Sequence, residues 1–282
     1  MVSLANPKIE SGGAAEWPAQ PGAAALAWRD LVEGFARVWM WPVLALQDVR
    51  LRYRGSVLGP FWLTISMLLM VGGMGIVYSQ LFGMEVRSYL PFLAVGLIVW
   101  QFLSGMITEG CETFLREATV IQQVRIPFSI HAYRGVFRNV IVLAHNLILV
   151  PFGIAIFSLP VGWHLLAVVP ALVVLVINGL WISLLLGMIS ARFRDVPPIV
   201  ASVLQALFFL TPVIWPLAAL KEWRIIATAN PFFAAVDVLR APLIGVATAD
   251  SSWPMLLAMT AIGCTVTFVA FARFRARIAY WI

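Results

Sequence analysis

The chain has 282 residues, 62% of them hydrophobic and only 11% charged, with a formal net charge of +6. Soluble domains are about 45–50% apolar and about 25% charged, so this composition excludes a soluble globular protein and points to a polytopic membrane protein. The positive charge does not indicate nucleic acid, because the basic residues gather beside apolar runs, as juxtamembrane arginines do.

Residues 1–27 hold Pro7, Pro18, Pro21, Gly12 and Gly13 and no continuous apolar region. They read as a disordered cytoplasmic tail without a secretory signal. From residue 28 to 57 the pattern is amphipathic. Trp28, Leu31, Phe35, Val38 and Trp39 recur at helical spacing, with Arg29, Asp30, Glu33 and Arg37 between them. Pro42 interrupts, and Leu46, Val49 and Tyr53 then alternate with Asp48, Arg50 and Arg52. Tryptophan and arginine on such a helix suit the membrane interface. Trp28, Phe35, Trp39, Arg50, Arg52 and Arg54 are its expected anchors.

The stretch Gln47–Trp62 then turns the chain into the bilayer. Three alternating arginines precede a Gly-Ser-Val-Leu-Gly-Pro hinge and a long apolar run. A helix needs about 20 apolar residues to cross a membrane. Six candidates follow: Leu58–Leu81, Leu90–Thr108, Arg134–Phe157, Leu165–Ile189, Ile199–Leu217 and Trp253–Phe271. With six spans, Arg87, Lys221, Arg224 and Arg240 fall on one side and the other 15 of the 19 basic residues on the opposite side. That asymmetry places both termini in the cytoplasm.

The segment Glu109–His131 is then cytoplasmic. Glu112 and Arg116 share a helix face, with Glu117 and Gln123 nearby, and Pro127 ends the helix. A second, shorter cytoplasmic turn spans residues 190–198 and carries Arg194 and Asp195. The outer segment 218–252 is too apolar for an aqueous loop. It either re-enters the outer leaflet as a helical hairpin or lies flat on it.

No phosphate-binding glycine loop is present, since the only lysines, Lys8 and Lys221, do not follow glycine. Cys111 and Cys264 lack His or Cys neighbours at metal spacing, which argues against a disulfide or zinc site. No Ser/His/Asp set and no carboxylate pair suits acid–base work. The spans hold almost no ionisable residue at mid-depth, whereas ion-coupled transporters bury such groups. His145, Asn178 and Gln205 read as hydrogen-bonding braces between helices. Aromatic residues are plentiful. Trp62, Tyr78, Trp100, Phe208, Phe209 and Trp215 offer flat faces on which sugar rings can stack. The alternative for each is an interfacial belt or core position.

The run Arg52-Tyr-Arg-Gly-Ser-Val-Leu-Gly-Pro-Phe-Trp62 resembles the entry to the first span of permease subunits of ABC-2 type polysaccharide exporters, which carry O-antigen, capsule and teichoic acid. Tyr89–Leu97, Gln123–Pro127, Ser190–Val196, Phe209–Val213 and Asn230–Phe232 agree in the same order, over roughly residues 30 to 282. The resemblance is strongest to the O-antigen permeases. It implies an all-α membrane fold with an N-terminal interface helix, an outer re-entrant hairpin at residues 218–245, and a homodimer with two copies of a separate ATPase subunit. ATP and magnesium would sit in that subunit, leaving this chain without a cofactor. Coupling helices within Glu112–Pro127 and Ala191–Pro197 would dock on the ATPases, with Glu112, Arg116, Glu117, Gln123, Arg125, Arg194 and Asp195 as the expected contacts. The substrate would be an undecaprenyl-pyrophosphate-linked glycan, exported across the bacterial inner membrane through a channel between the two permeases; the six aromatics named above are the candidates to line it. Rival readings are an ABC-2 exporter of drugs or small lipids, a membrane enzyme acting on polyprenyl lipids, and a pore or scaffold without an energy source.

Overall fold

The computed structural model describes residues 22–59, 61–217 and 224–282. These residues are helical throughout, with turns and no strand. In chain order the helices are α1 (Ala23–Ala36), α2 (Trp41–Arg52), α3 (Phe61–Leu81), α4 (Val86–Cys111), α5 (Ala118–Gln123), α6 (Ser129–Leu147), α7 (Leu149–Phe157), α8 (Val168–Arg192), α9 (Val196–Leu210), α10 (Arg224–Thr228), α11 (Pro231–Ile244), α12 (Ser252–Phe274) and α13 (Ile278–Trp281). The helix begins at Ala23, so the expected tail overlaps it by a few residues. The rest of that tail, apart from Gly22, lies outside the described residues.

Among the described residues, five helices have the length and composition to cross a membrane: Phe61–Leu81, Val86–Cys111, Ser129–Phe157, Trp163–Arg192 and Ser252–Trp281. The third joins α6 and α7; the fourth and fifth include the short turns that flank α8 and α12. In α4, 67% of the apolar window is buried, against 17–22% in the other four. α4 is therefore the central post, and α3, α6, α8 and α11 pack around it. The large exposed apolar side chains of α3, such as Leu69, Ile76 and Val77, face outward as lipid-facing residues do.

The fifth of the six expected spans, Ile199–Leu217, is corrected. α9 stops at Leu210 after 15 residues, which is about 22 Å of helix and short of a hydrocarbon core of about 30 Å. Thr211-Pro212 turns the chain, and residues 211–214 are buried without helical structure. Irregular backbone survives at such depth only where protein satisfies its polar groups. That protein is α11, whose residues 233–243 are all buried. Its sequence sets both ends. The Asn230 side chain accepts from the Phe232 N–H at 2.9 Å, Pro231 occupies the first turn, and Gly245 ends the helix at φ 75. The Asp237 carboxylate then accepts from the Ala249 N–H at 2.8 Å and the Ser252 hydroxyl at 2.7 Å, pinning the return loop to α11.

Two of the three expected braces are also corrected. The His145 ring contacts its own helix through the Ile141 carbonyl at 2.8 Å. The neighbouring Asn146 makes the bond between helices instead, donating to Gln101 Oε1 at 2.9 Å. Gln205 is exposed and makes no brace. Asn178 does tie α8 to α12, donating to the Thr260 hydroxyl at 2.7 Å.

α1 and α2 form an elbow with its corner at residues 37–40. Trp41 donates to the Phe35 carbonyl across that corner and packs edge-on against Phe137 of α6, with ring centroids 5.2 Å apart. The elbow thus lies against α6 rather than free of the bundle.

Candidate functional site

Two features distinguish this body from a plain helical bundle. The first is a cleft of about 620 Å³ between α3, α4 and α9. Trp62, Trp100, Phe208 and Phe209 all line it, so four of the six sequence-nominated aromatics meet in one place. Phe208 joins Trp100 at 5.5 Å and Phe209 at 5.3 Å between ring centroids. Trp215 stands just beyond, its indole N–H donating to the Phe209 carbonyl at 3.1 Å. Tyr78 does not join them; it stacks on Phe82, 5.9 Å away between centroids, at the other end of α3.

The cleft has a second wall that sequence reasoning missed. Gln101, Ser104 and Thr108 are spaced three and four residues apart and line it from α4; Ser66 and Gln205 add to it from α3 and α9. Ser66, Thr108 and Gln205 are exposed, and no other described residue bonds their side chains. Lipid tails cannot satisfy such groups. Water or a hydroxyl-rich ligand can. The helical spacing of 101, 104 and 108 was the available signal, hidden among apolar neighbours.

The turn at residues 211–214 follows α9, the helix that carries Phe208 and Phe209. Arg240 of α11 donates to the Pro212 carbonyl at 2.7 Å, and the Tyr89 hydroxyl donates to the Ile214 carbonyl. Arg240 is 4% exposed and sits 4.2 Å over the Phe92 ring. The span count placed Arg240 on the outer side; it is a buried cation serving the Pro212 carbonyl just past the end of α9.

The second feature is an ion-pair network at the end of the bundle that carries α2 and α5. Arg134 grips Asp48 of α2 with two bonds, at 2.6 and 2.8 Å, and reaches Glu117 at 2.8 Å. Arg138 joins Asp48 at 2.6 Å to Glu109 of α4 at 2.8 Å. Asn139 and Arg52 complete the shell of Glu109, at 2.7 and 3.2 Å. Two arginines one turn apart on α6 therefore bind α2, the end of α4 and the α5 segment into one unit. Burial pushes the Asp48 carboxyl up, but the bonds and charges of Arg134 and Arg138 outweigh it and hold the group below the usual carboxylate range. His131 lies beside this network, buried, with neither ring nitrogen hydrogen-bonded.

The nominated docking residues divide. Glu112 pairs with Arg116, both partly exposed, in the turn between α4 and α5 rather than on the expected helix face, because α4 ends at Cys111 and α5 begins at Ala118. Gln123 and Arg125 project from the exposed tip that follows, and Arg194 and Asp195 form a separate exposed turn. Glu117 is turned inward to Arg134. Along the elbow, Trp28, Phe35 and Trp39 are exposed apolar side chains, and Arg50 and Arg54 are exposed cations. Arg52 differs, because it is tied to Glu109.

Spanning helices around a cleft with one aromatic and one polar wall define a multi-pass membrane protein. Comparison gives that class its family. The family model described as ABC-2 type transporter matches residues 41–244, and the chain belongs to that family. It is 26% identical over 243 residues to the O-antigen export system permease protein RfbA of Myxococcus xanthus, covering 83% of this chain and 90% of the relative. A Klebsiella pneumoniae protein of the same name is 24% identical over 199 residues, covering 69% and 76%. The membrane fold inferred from sequence is thus the family's own.

Proposed function

We propose that this chain is the membrane half of an ATP-driven exporter that moves a lipid-linked polysaccharide outward across the bacterial inner membrane. Two copies pair with two copies of a separate ATPase subunit, which holds ATP and magnesium. The charged end of the bundle and both termini are cytoplasmic, in keeping with the arginine asymmetry; the Arg275–Asp30 pair holds α1 and residues 275–282 at one end, and the chain from α9 to the start of α12 makes the sixth crossing. The glycan, carried on undecaprenyl pyrophosphate, runs along the cleft between α3, α4 and α9.

The observation that carries this reading is the cleft itself. Sugar rings present apolar faces and hydroxyl edges, and the cleft offers Trp62, Trp100, Phe208 and Phe209 to the first and Ser66, Thr108 and Gln205 to the second. A drug or simple lipid would use the first wall and leave the second unsatisfied. An enzyme acting on polyprenyl lipids would need free acids, whereas Asp48, Glu109 and Glu117 are each held by arginines. The names of the relatives support O-antigen as the glycan class.

The test is purification from the native host followed by reconstitution. An ATPase subunit should co-purify, and the vesicles should move lipid-linked glycan only with ATP. A chain that purifies alone, with glycan movement indifferent to ATP, overturns the proposal.

A further inference from the structure

The two exposed contacts assigned above to the ATPase are too small to be rigid by themselves. α5 has six residues and buries none of them. Isolated helices shorter than about 12 residues are marginal. The second contact is a turn of three residues, 193–195, between α8 and α9. Force can pass through such pieces only if something else holds them.

Residues 275–282 touch both. Gln122 of α5 donates to the Ile282 carbonyl at 2.9 Å, and Arg194 donates to the Trp281 carbonyl at 3.3 Å. Between them Ile278 is fully buried, in a small core with Phe114, Leu184 and Phe271, against which Ile121 of α5 also packs. The other end of the segment is fastened to α1. Arg275 pairs at 2.7 Å with Asp30, whose carboxylate also accepts the N–H groups of Phe128 and Ser129 at 3.1 and 3.0 Å. One short stretch therefore meets the interface helix, the α5 segment and the 193–195 turn together.

We propose that residues 275–282 are a strut, with Ile278 as its positioning residue, that makes α5 and the 193–195 turn move as one body. The link to ATP rests on the function proposed above; the rigidity does not, and is measured separately.

The experiment uses the reconstituted permease–ATPase complex in a cysteine-free background. Spin labels at Thr119→Cys and Phe193→Cys report the distance between the two contacts by pulsed electron resonance. With Ile278 in place, the distribution should be narrow and unchanged between nucleotide-free and ATP-trapped states. Ile278→Ala should broaden it and lower glycan export per ATP hydrolysed by about 2- to 30-fold, the range seen for changes along a packed coupling network. Ile278→Leu, close in volume, should restore both readouts. Gln122→Ala, on an exposed side chain that cannot unfold the core, should shift both in the same direction by less.

A wild-type distance that changes between nucleotide states overturns the proposal, because the contacts then move separately. So does an Ile278→Ala distribution as narrow as wild type, or a broadened one with export per ATP unchanged. A wild-type complex that shows no ATP-driven export defeats the proposed function instead, and the distances alone then decide the strut.

Discussion

Arg240 donates to the carbonyl of Pro212 at 2.7 Å, joining α11, in the segment expected to re-enter or lie on the outer leaflet, to the turn after a helix expected to run on to Leu217. The contact explains why α9 can end inside the body. Helix ends leave carbonyls without partners, and here a buried guanidinium and the Tyr89 hydroxyl serve two carbonyls of the turn that follows. That turn begins two residues past Phe209 and leads on to Trp215, so it anchors the end of the helix that carries two of the cleft's aromatics.

Gly96 tests this relationship without touching a charge. A methyl group there would lie 2.8 Å from the Val213 carbonyl oxygen and 3.4 Å from the Arg240 guanidinium. Gly96→Ala should therefore displace the turn and slow export. Arg240→Met should strand the Pro212 carbonyl, at about 1–3 kcal/mol for an orphaned buried acceptor. A lowered thermal midpoint in detergent, alongside reduced export, is the expected pair of results. Wild-type behaviour in both variants would mean that the turn has no need of Arg240.

Asp48 supplies the pH prediction. Its folded carboxyl titrates below the ordinary value of 3.8. A depressed carboxylate contributes stability that is fully present above the unfolded pKa and lost as pH falls through the folded one. The stability gap between wild type and Asp48→Asn should thus be constant across neutral pH, begin to narrow only as pH falls toward about 4, and close below it. Denaturation curves over that range measure it. A gap that closes near neutral pH would show that Asp48 is not the paired anion described here.

Arg138 carries more than Asp48 does, since it bridges two acids on different helices and is only 11% exposed. Arg138→Leu leaves Asp48 with one partner fewer and Glu109 facing only Asn139 and Arg52. The cost should approach the roughly 3–5 kcal/mol of breaking a buried pair. Arg52→Ala, at 45% exposed, should cost no more than about 1 kcal/mol. Equal effects would refute the ranking, and with it the claim that the α6 arginines bind α2 and the end of α4 into one unit.

The α5 segment is predicted to pass motion from the ATPase to α6. Proline at Val120 falls in the first turn, where a missing N–H matters little. Ile121 is the sensitive position, because its N–H donates to the Glu117 carbonyl at 2.9 Å. Ile121→Pro should abolish glycan-stimulated ATPase activity and export, and Val120→Pro should do less. The double reversal Glu112→Arg with Arg116→Glu keeps their mutual pair and changes only what a partner meets, so loss of coupling in it would report the docking contact. Full coupling in Ile121→Pro would exclude this segment as the transmission element.

Much of the membrane architecture was legible because hydrophobic length is a local property. Five of the six expected spans, and the elbow with its break near Pro42, follow from such signals. The gathering of Trp62, Trp100, Phe208 and Phe209 was legible only as a list of candidates; Tyr78, equally plausible by composition, points into another cluster. What escaped reading depends on distant pairs. Glu109 looked like a span-end acid until Arg138 and Asn139 met it across helices, and Glu117 looked like a docking charge until Arg134 turned it inward. Arg240 was legible only as a basic residue on the outer side, because nothing near it in sequence shows that it meets the Pro212 carbonyl. The early stop of α9 did leave a trace in Thr211-Pro212, outweighed by the apolar run that continues past it.

The central claim is that glycan travels along the α3–α4–α9 cleft, and photocrosslinking during transport tests it most directly. A photoreactive phenylalanine analogue at Phe208 is compared with one at Val169, an exposed apolar position on α8 outside the cleft, in vesicles containing the permease–ATPase complex and labelled lipid-linked glycan. The account predicts ATP-dependent capture of glycan at Phe208 and capture of lipid alone at Val169. Lipid alone at both positions, in vesicles that are exporting glycan, would contradict it.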